Sequence, residues 1–408
     1  MTKRTRDEMT PAAANLLTAD APEQLLQLLT SITDTKIVSK LEQLNHSADG
    51  TVEPFLCTHH GGFHCDEALA LAMLKMLPEY EKLPIVRTRD PEIIKKAQLV
   101  VDVGGVYSHD LNKYDHHMGD FTTTFSPKHK VTKLSSAGLV YLHFARKLMA
   151  LFIEKSHDKD SSGEKPEITD ILINKLYRNF IEEVDAIDNG VEMSEHMKYR
   201  IGTGLGSRIK RLNPSWRQEN VSSETENYQF KKAMMVCGEE WFYQVQSLLV
   251  EWYPARKIVA DACASACPEY YTSSHPAGTQ NGHLKLDADS RTLILPRCCP
   301  WQEHLLDIEH ELNIASDKDK QILYCIFPDS RSGSFRIQAV PKIRGSFENR
   351  KPLPKPWRGV RDDELSGVAG IPGCVFTHAS GFIGGNQTLE GAKEMARKAV
   401  EFPMEQNL

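Results

Sequence analysis

The sequence lacks the marks of several protein classes. No window approaches about eighteen uninterrupted apolar residues, so we expect no segment to span a membrane. The nine cysteines show no paired C-x-x-C spacing, which excludes the common structural zinc sites, and their odd number favours reduced intracellular thiols. The net charge of −6 excludes a generally basic nucleic-acid-binding surface and leaves room only for a local basic patch.

The first residues also lack targeting features. They contain no apolar core of a secretion signal, and acidic residues interrupt what would otherwise be an Arg-rich transit peptide. We therefore expect the nucleus or the cytoplasm. A mitochondrial pool stays open, although no clear transit peptide is present.

The 408 residues are too many for one ordinary core, and three regions are predicted. Residues 1–50 are expected to form a partly helical N-terminal extension. Residues 51–253 alternate short apolar runs with helical stretches, which predicts an α/β domain with a doubly wound, mainly parallel sheet and a connector helix at its end. Residues 254–408 alternate strands before a final helix, which predicts a smaller α+β domain.

Four polar stretches of the α/β region follow apolar strands or end a helix. They are "THHGGFHCDE" at 58–67, "VVDVGG" at 100–105, "YDHH" at 114–117 and "EEVDAIDNG" at 182–190. In such sheets ligands bind beyond the carboxyl ends of the strands, which is where these turns fall. Each stretch alone has an ordinary explanation as a cap or a solvated turn, but together they indicate one site.

The residue types in these stretches are those of a metal centre. Mixed imidazole and carboxylate ligands suit two divalent ions, such as two Mn²⁺ with Mg²⁺ as the alternative, held about 3.5–4 Å apart by a shared carboxylate. Such a pair polarises a phosphoryl group and lowers the pKa of a bridging water. The pattern therefore predicts hydrolysis of a phosphate ester.

The four stretches, in this order, resemble the DHH phosphoesterase superfamily, which is named after its Asp-His-His motif. Further segments resemble the melanocyte-proliferating-gene (Myg) branch of that superfamily: "PIVRTRDPE", "TKLSSAGLVYLHF", "RLNPSW", "PWRGVRD" and "IPGCVFTHASGFIGG". The resemblance runs from about Phe55 to Val400. It implies a metal-dependent 3′-to-5′ exonuclease that acts on single-stranded RNA and releases nucleoside 5′-monophosphates.

By that resemblance, six side chains are expected to bind metal: His59, His64, Asp66, Asp102, His116 and Asp188. Asp102 would bridge the two ions, and the catalytic triplet would be Asp115, His116 and His117. Within it, His117 would contact the scissile phosphate, and Asp115 would orient its neighbours.

Three choices stay open within this set. The first motif can be read in two registers, which leaves His60 as an alternative to His59. Asp185 lies three residues before Asp188 and would share its helix face. The wider superfamily has a carboxylate where this chain has an imidazole, so the metal preference is also open.

A further set is predicted to hold the substrate: Arg336, Trp357, Arg358, His378, Gly384 and Gly385. The basic segment "NRKPLPKPWRGVR" suits a backbone clamp with Trp357 as a stacking platform, although a Pro-stiffened surface loop explains it as well. By resemblance, "HASGFIGGNQT" is a Gly-rich loop that holds a terminal nucleotide.

Two other functions compete with the exonuclease. One is a small-substrate phosphoesterase acting on pyrophosphate or short oligonucleotides, and the other is a non-catalytic relative that binds RNA or protein. The basic aromatic segment favours a polymer, and the occupied ligand positions favour an enzyme. Oligomeric state, a homodimer included, stays open.

Overall fold

The computed structural model describes residues 23–46, 50–156, 168–266 and 291–403. The chain divides into two compact units, one ending at Leu248 and the other beginning at Leu249. The first 22 residues of the predicted N-terminal extension lie outside the described residues. Its later part contributes a helix and the strand Ile37–Val38, which pairs within the main sheet.

The first unit is built on a six-stranded sheet. Its strands are β1 Ile37–Val38, β2 Leu56–Thr58, β3 Ile85–Arg87, β4 Leu99–Val101, β5 Tyr107–Ser108 and β6 Lys113–Tyr114. They lie in the order β1-β3-β2-β4-β6-β5, and every pair is parallel except β5 with β6. The predicted α/β class with a mainly parallel sheet is confirmed.

The helices of this unit are α1 Glu23–Thr33, α2 Cys65–Lys75, α3 Pro91–Ile94, α4 Ser136–Ser156, α5 Asp170–Leu176, α6 Glu182–Asp188, α7 Leu205–Lys210 and α8 Ser223–Gln246. A π-helical turn, Tyr177–Ile181, joins α5 to α6. All eleven residues of α2 are buried, as expected for a helix that is apolar on nearly every side. Its one lysine, Lys75, is satisfied by donating to the carbonyl oxygens of Tyr80 and Leu83, at 2.8 and 2.7 Å.

Helix α4 is the one described helix that is long and apolar enough to cross a membrane by length and composition. Within its most apolar window, 67% is buried inside the unit. Such burial is typical of a core helix.

A buried carboxylate joins α6 to the start of α4. Asp185 accepts hydrogen bonds from the backbone N of Ser135 at 2.9 Å, from its Oγ at 2.8 Å, and from the Tyr177 hydroxyl at 2.8 Å. Burial raises the pKa of Asp185 to about 7, against the opposing effect of these donors. The contact fixes α6 against the start of α4.

Within its described residues, the second unit contains a five-stranded sheet and four α-helices. Its elements are α9 Tyr253–Ala266, β7 Thr292–Ile294, α10 Gln302–Glu311, β8 Tyr324–Pro328, β9 Phe335–Ala339, α11 Asp362–Ala369, β10 Cys374–Thr377, β11 Ile383–Asn386 and α12 Leu389–Glu401. The strand order is β10-β11-β9-β8-β7, with β7 parallel to β8 and the other pairs antiparallel. The predicted smaller α+β domain is confirmed.

Gly138 allows α4 to approach Asp185, and this contact generates a prediction. A Cβ at Gly138 would lie 2.4 Å from both carboxylate oxygens of Asp185. Because three donors hold that carboxylate, Gly138→Ala should lower the free energy of unfolding by about 1–3 kcal/mol, measured by denaturant titration. Gly206→Ala in α7 is the matched control, since its Cβ would meet ordinary contacts at 3.6 Å. Equal stability of the two variants would contradict the proposed role of this contact.

Candidate metal centre

The candidate site lies at the carboxyl edge of the first sheet. His59 follows β2, Asp102 follows β4, and the triplet Asp115-His116-His117 follows β6. These strands are neighbours, β2 beside β4 and β4 beside β6, and all run parallel. Their carboxyl ends therefore bring the three segments together.

Asp102 is at the centre of the cluster and has an unusual backbone. Its φ is 56°, in the left-handed region that costs a non-glycine residue about 1 kcal/mol or more. One carboxylate oxygen lies 3.3 Å from Nε2 of His59, and the other lies 3.6 Å from Nε2 of His116 and 3.4 Å from Nδ1 of His117. Ser136 at the start of α4 donates its hydroxyl to that second oxygen at 3.2 Å.

The surroundings of Asp102 favour its ionised form and lower its pKa. Burial alone would raise this pKa, but the close His116 and His59 rings and the charge of nearby imidazoles hold it below its usual range. Asp102 therefore stays ionised in the protein interior. An ionised carboxylate shared between several nitrogen donors has the electrostatic character of a bridging metal ligand.

His59 is buried and oriented by its neighbours. Its Nδ1 donates to the carbonyl of His60 at 3.2 Å, which leaves Nε2 facing Asp102 and Glu67, at 3.3 and 3.1 Å. A backbone acceptor on one ring nitrogen is how metal-binding histidines are usually oriented. Burial opposes charge on this ring, but Asp102 and Glu67 prevail and raise the pKa of His59 to about 10.

Glu67 is a member of the cluster that the sequence analysis missed. It is fully buried at the third position of α2, where its carboxylate accepts from the backbone N of His64 at 2.9 and 3.1 Å. In the sequence it resembles an ordinary first-turn acid that caps a helix. The sequence could have indicated Glu67 through its capping-box spacing to His64, because that spacing places the Glu67 carboxylate beside His64.

Asp66 has no hydrogen-bond partner in the described structure, although it is only 1% exposed. Burial is the main cause that raises the pKa of Asp66, and the nearby charges of Asp102, Glu67 and Asp188 add to it. A buried carboxylate without donors and beside other acids is costly unless a cation compensates it. Both oxygens of Asp66 are therefore suited to a metal ion.

The Asp-His-His triplet divides its members between the interior and the surface. His116 Nε2 lies 3.0 Å from Asp188 Oδ2 but without hydrogen-bond geometry, and it has no hydrogen-bond partner. Burial lowers the pKa of His116, but Asp102 and Asp188 overcome this and raise it to about 10. His117 is exposed, and its Nδ1 is held by Asp115 Oδ1 at 2.9 Å.

Asp115 acts as an anchor for this segment. Its other oxygen accepts from the backbone N of Gly105 at 2.6 Å, so both oxygens are engaged. The carboxylate thus connects the turn after β4 to the turn after β6 and fixes the ring of His117. This placement fits the predicted orienting role.

The structure also separates the residues that the sequence left as alternatives. His59 is in the cluster, while the side chain of His60 is exposed and lies outside it. Asp188 reaches His116, while Asp185 is bound by Ser135 and Tyr177. The arrangement favours His59 and Asp188 as the ligands.

The cluster fits divalent cations. Three groups of side chains each offer ligand atoms within 4.8 Å of one another: His59, His64, Glu67 and Asp102; Asp102, His116 and His117; and His64, Asp66 and Asp188. Asp102 and His64 each belong to two groups. The unpartnered atoms of Asp66 and His116 are suited to a cation, and nitrogen with carboxylate oxygen suits Mn²⁺, Mg²⁺ or a similar ion.

Arg87, on β3, supports the loop that carries His59. Its Nε donates to the carbonyl of His59 at 3.2 Å and its Nη2 to that of Gly61 at 2.6 Å. The guanidinium also lies over the ring of Phe230, at 4.6 Å from the centroid. The loop is therefore held by the buried guanidinium of Arg87, which lies outside the cluster.

A cavity of about 1140 Å³ opens beside the cluster. Its lining includes His64, Asp66, His117 and Asp188 from the cluster. The basic side chains of Lys210 and Arg211 line it as well. The candidate centre therefore faces a space large enough for part of a polymer.

The structure corrects the predicted clamp of the second unit. Trp357 is 5% exposed and packs in the hydrophobic core with Leu353, so it has no free face for a base. In the same segment, Arg350 donates to the buried Glu309 at 2.9 Å, and Lys351 donates to the carbonyl of Val400 at 2.6 Å. These cations are used inside the unit.

The same unit holds Arg358 and Arg336 in internal contacts. Arg358 donates from Nε to the carbonyl of Leu353 at 3.0 Å. Arg336 pairs with Asp329 and lies over the ring of Phe376, at 4.9 Å from its centroid. Both side chains are partly exposed, so a contact with substrate remains a prediction.

The predicted Gly-rich loop is instead a hairpin. Gly384 and Gly385 lie in β11, between β10 and β9, where a Cβ would come within 2.9 Å of the Phe376 carbonyl and 3.0 Å of the Phe335 carbonyl, respectively. Close strand packing therefore explains these glycines. His378 is exposed at the turn before them, with Nδ1 2.9 Å from Ser380 Oγ.

Comparisons with known proteins agree with the motifs of this site. The MYG1 exonuclease family model, described as Uncharacterised protein family (UPF0160), matches residues 55–400. The chain is 44% identical to MYG1 exonuclease of Mus musculus, over 85% of each chain. It is 43% identical to MYG1 exonuclease of Homo sapiens, over 85% of this chain and 86% of the relative.

More distant relatives cover the same part of the chain. MYG1 protein YER156C of Saccharomyces cerevisiae is 36% identical, over 85% of this chain and 95% of the relative. The family match includes every side chain of the candidate metal centre, since all lie between residues 59 and 188. The chain therefore belongs to the MYG1 exonuclease family, a family of nuclease hydrolases.

Proposed function

We propose that this protein is a metal-dependent 3′-to-5′ exonuclease that degrades single-stranded RNA to nucleoside 5′-monophosphates. The observation that carries the proposal is the group of buried carboxylates and imidazoles, with unpartnered atoms on Asp66 and His116, beside an open cavity. Family membership supports the exonuclease class. The RNA substrate, the direction and the product rest on the resemblance of the motifs.

The side chains divide the chemical tasks among themselves. His59, His64, Asp66, Asp102, His116 and Asp188 would hold two divalent ions, and Glu67 lies beside His59 as an additional ligand or orienting acid. Such ions, when bound, polarise the phosphoryl group and supply a nucleophilic water at neutral pH. Mn²⁺ is the proposed metal because the donor set mixes nitrogen with oxygen.

His117 is placed to contact the substrate phosphate. Its Nδ1 is held by Asp115 at 2.9 Å, so Nε2 is left for a phosphate oxygen, and the residue lines the cavity. From this position His117 can contact the phosphate oxygen on which negative charge develops. Asp115 fixes the direction of that donor.

The small-substrate alternative remains distinct from this proposal. The cavity extends from the metal ligands to the basic residues Lys210 and Arg211, and this supports a substrate longer than pyrophosphate. Comparing hydrolysis of pyrophosphate with that of a single-stranded oligonucleotide, under the same metal, separates the two functions.

The first prediction from this proposed function concerns the shared carboxylate. Asp102→Asn should reduce metal-dependent RNA hydrolysis at least about 100-fold, more than the 10- to 100-fold loss typical of groups that only orient ligands. Asparagine is the appropriate replacement because it tolerates the left-handed φ of 56° better than alanine, so the backbone is preserved.

Asp110→Asn is the matched control for this variant. Asp110 is exposed in the turn between β5 and β6 and belongs to none of the three ligand groups. Hydrolysis rates and Mn²⁺ binding by calorimetry should be compared for both variants. Near-normal turnover of Asp102→Asn with metal still bound would contradict the assignment of Asp102 as the carboxylate shared by two metal ions.

The second prediction concerns the end of the RNA at which degradation starts. A 3′-phosphate should block degradation of a linear single-stranded RNA, and a 5′ block should leave the rate unchanged. Labelling either end and following the products on a gel measures both effects, with mononucleotides expected from the first time point. If circular RNA disappears as fast as linear RNA, the enzyme needs no end and the exonuclease mode of the proposal is wrong.

A further inference from the structure

Trp216 is exposed to an extent that packing does not explain. Its side chain is 89% exposed, whereas tryptophan in folded proteins is buried for most of its large apolar surface. The residue lines the same cavity as His64, Asp66, His117 and Asp188. An exposed indole beside a candidate phosphate-cleaving centre is available to a ligand that enters this cavity.

The turn that carries Trp216 is held in place. The backbone N of Gln218 donates to the Ser215 carbonyl at 2.9 Å, and the backbone N of Ser215 donates to the Gln218 side chain at 2.8 Å. The backbone N of Arg217 donates to Ser215 Oγ at 3.3 Å. The indole is thus presented by a closed turn, which lowers the entropy lost when it binds a flat group.

This turn is also tied to the metal-binding loop. Asn213 accepts from the backbone N of Phe63 at 2.8 Å and donates to the Phe63 carbonyl at 2.8 Å. Phe63 immediately precedes His64. The position of Trp216 relative to the candidate metal ligands is therefore fixed by a two-point hydrogen bond within one unit.

The cations of the cavity identify the class of ligand. Lys210 and Arg211 line it and are exposed, and the guanidinium of Arg217 lies over one face of the indole, at 5.3 Å from the ring centroid. An aromatic platform with adjacent cations is the arrangement that binds single-stranded nucleic acid, where bases stack and phosphates meet positive charge. A protein side chain or small metabolite would not require both features beside a phosphate-cleaving centre.

We propose that Trp216 stacks on a nucleobase of the substrate while Lys210 and Arg211 contact the neighbouring phosphates. The inference rests on the proposed function and identifies Trp216, in the first unit, as a substrate-binding residue. It also replaces Trp357, whose burial excludes the stacking role expected from the sequence. Stacking is tolerant of base identity, so this contact favours single strands without selecting a sequence.

The test removes either the indole or the base. Trp216→Ala and wild-type protein should be compared on single-stranded RNA with Mn²⁺, using substrates that carry one abasic nucleotide at each of the three terminal positions in turn. In wild-type protein one of these abasic positions should raise KM about 5- to 150-fold, the range expected for one stacked base. Trp216→Ala should show that same rise on intact RNA and no additional rise on the abasic RNA.

Two further variants make the readout specific. Trp216→Phe retains a ring and should restore most of the affinity, while kcat should stay near that of wild type in both variants. Tyr199→Ala is the matched control, because Tyr199 is 77% exposed in the same unit and does not line the cavity. This control should behave as wild type on every substrate.

The outcomes separate the inference from the proposed function. If wild-type protein degrades RNA and Trp216→Ala matches it, or loses equally on intact and abasic RNA, the stacking role is overturned and the proposed function stands. If wild-type protein degrades no RNA with any divalent metal, the proposed function is wrong, and the inference that rests on it is wrong as well. Because Trp216 is exposed, its replacement leaves the fold intact and keeps both results interpretable.

Discussion

The constraint on which this structure depends is the negative charge gathered inside the first unit. Asp66, Glu67 and Asp102 are each buried, and Asp188 lies near them and lines the cavity. Within the described residues, the ion-pair partners of these four acids are histidines, and Asp66 has none. Burying several carboxylates without cations costs several kcal/mol each. Divalent ions at this position would remove that cost and perform the hydrolysis.

The fold supplies this arrangement through parallel strands and two internal anchors. Three adjacent strand ends carry His59, Asp102 and the Asp-His-His triplet to one edge, which an antiparallel pairing would not do. The strained backbone of Asp102 directs its carboxylate to the centre of the cluster. Asp185, packed against Gly138, fixes the helix that carries Asp188. Asp185 therefore contributes to stability, whereas Asp188, three residues later, belongs to the candidate metal centre.

The sequence predicted the sheet and the convergence of its polar turns because both follow from local alternation of strands and helices. It did not predict Glu67, whose helix-capping position hides a second role. It could not separate Asp185 from Asp188, because the partner that decides, Ser135, lies 50 residues away along the chain. It also placed Trp357 on the surface from its basic, Pro-rich neighbours, whereas tertiary packing buries it. Local composition does not report such long-range contacts.

The most direct measurement of the central claim is anomalous X-ray scattering at the manganese edge from crystals of the protein grown with Mn²⁺. The account predicts anomalous density in contact with Asp102, with further contacts to Asp66 and to at least one of His59 and His116. Density at a saturating Mn²⁺ concentration that lies elsewhere, with Asp66 still lacking a cation, would contradict it. The buried acids would then need another form of charge compensation, and the metal-dependent mechanism would fall.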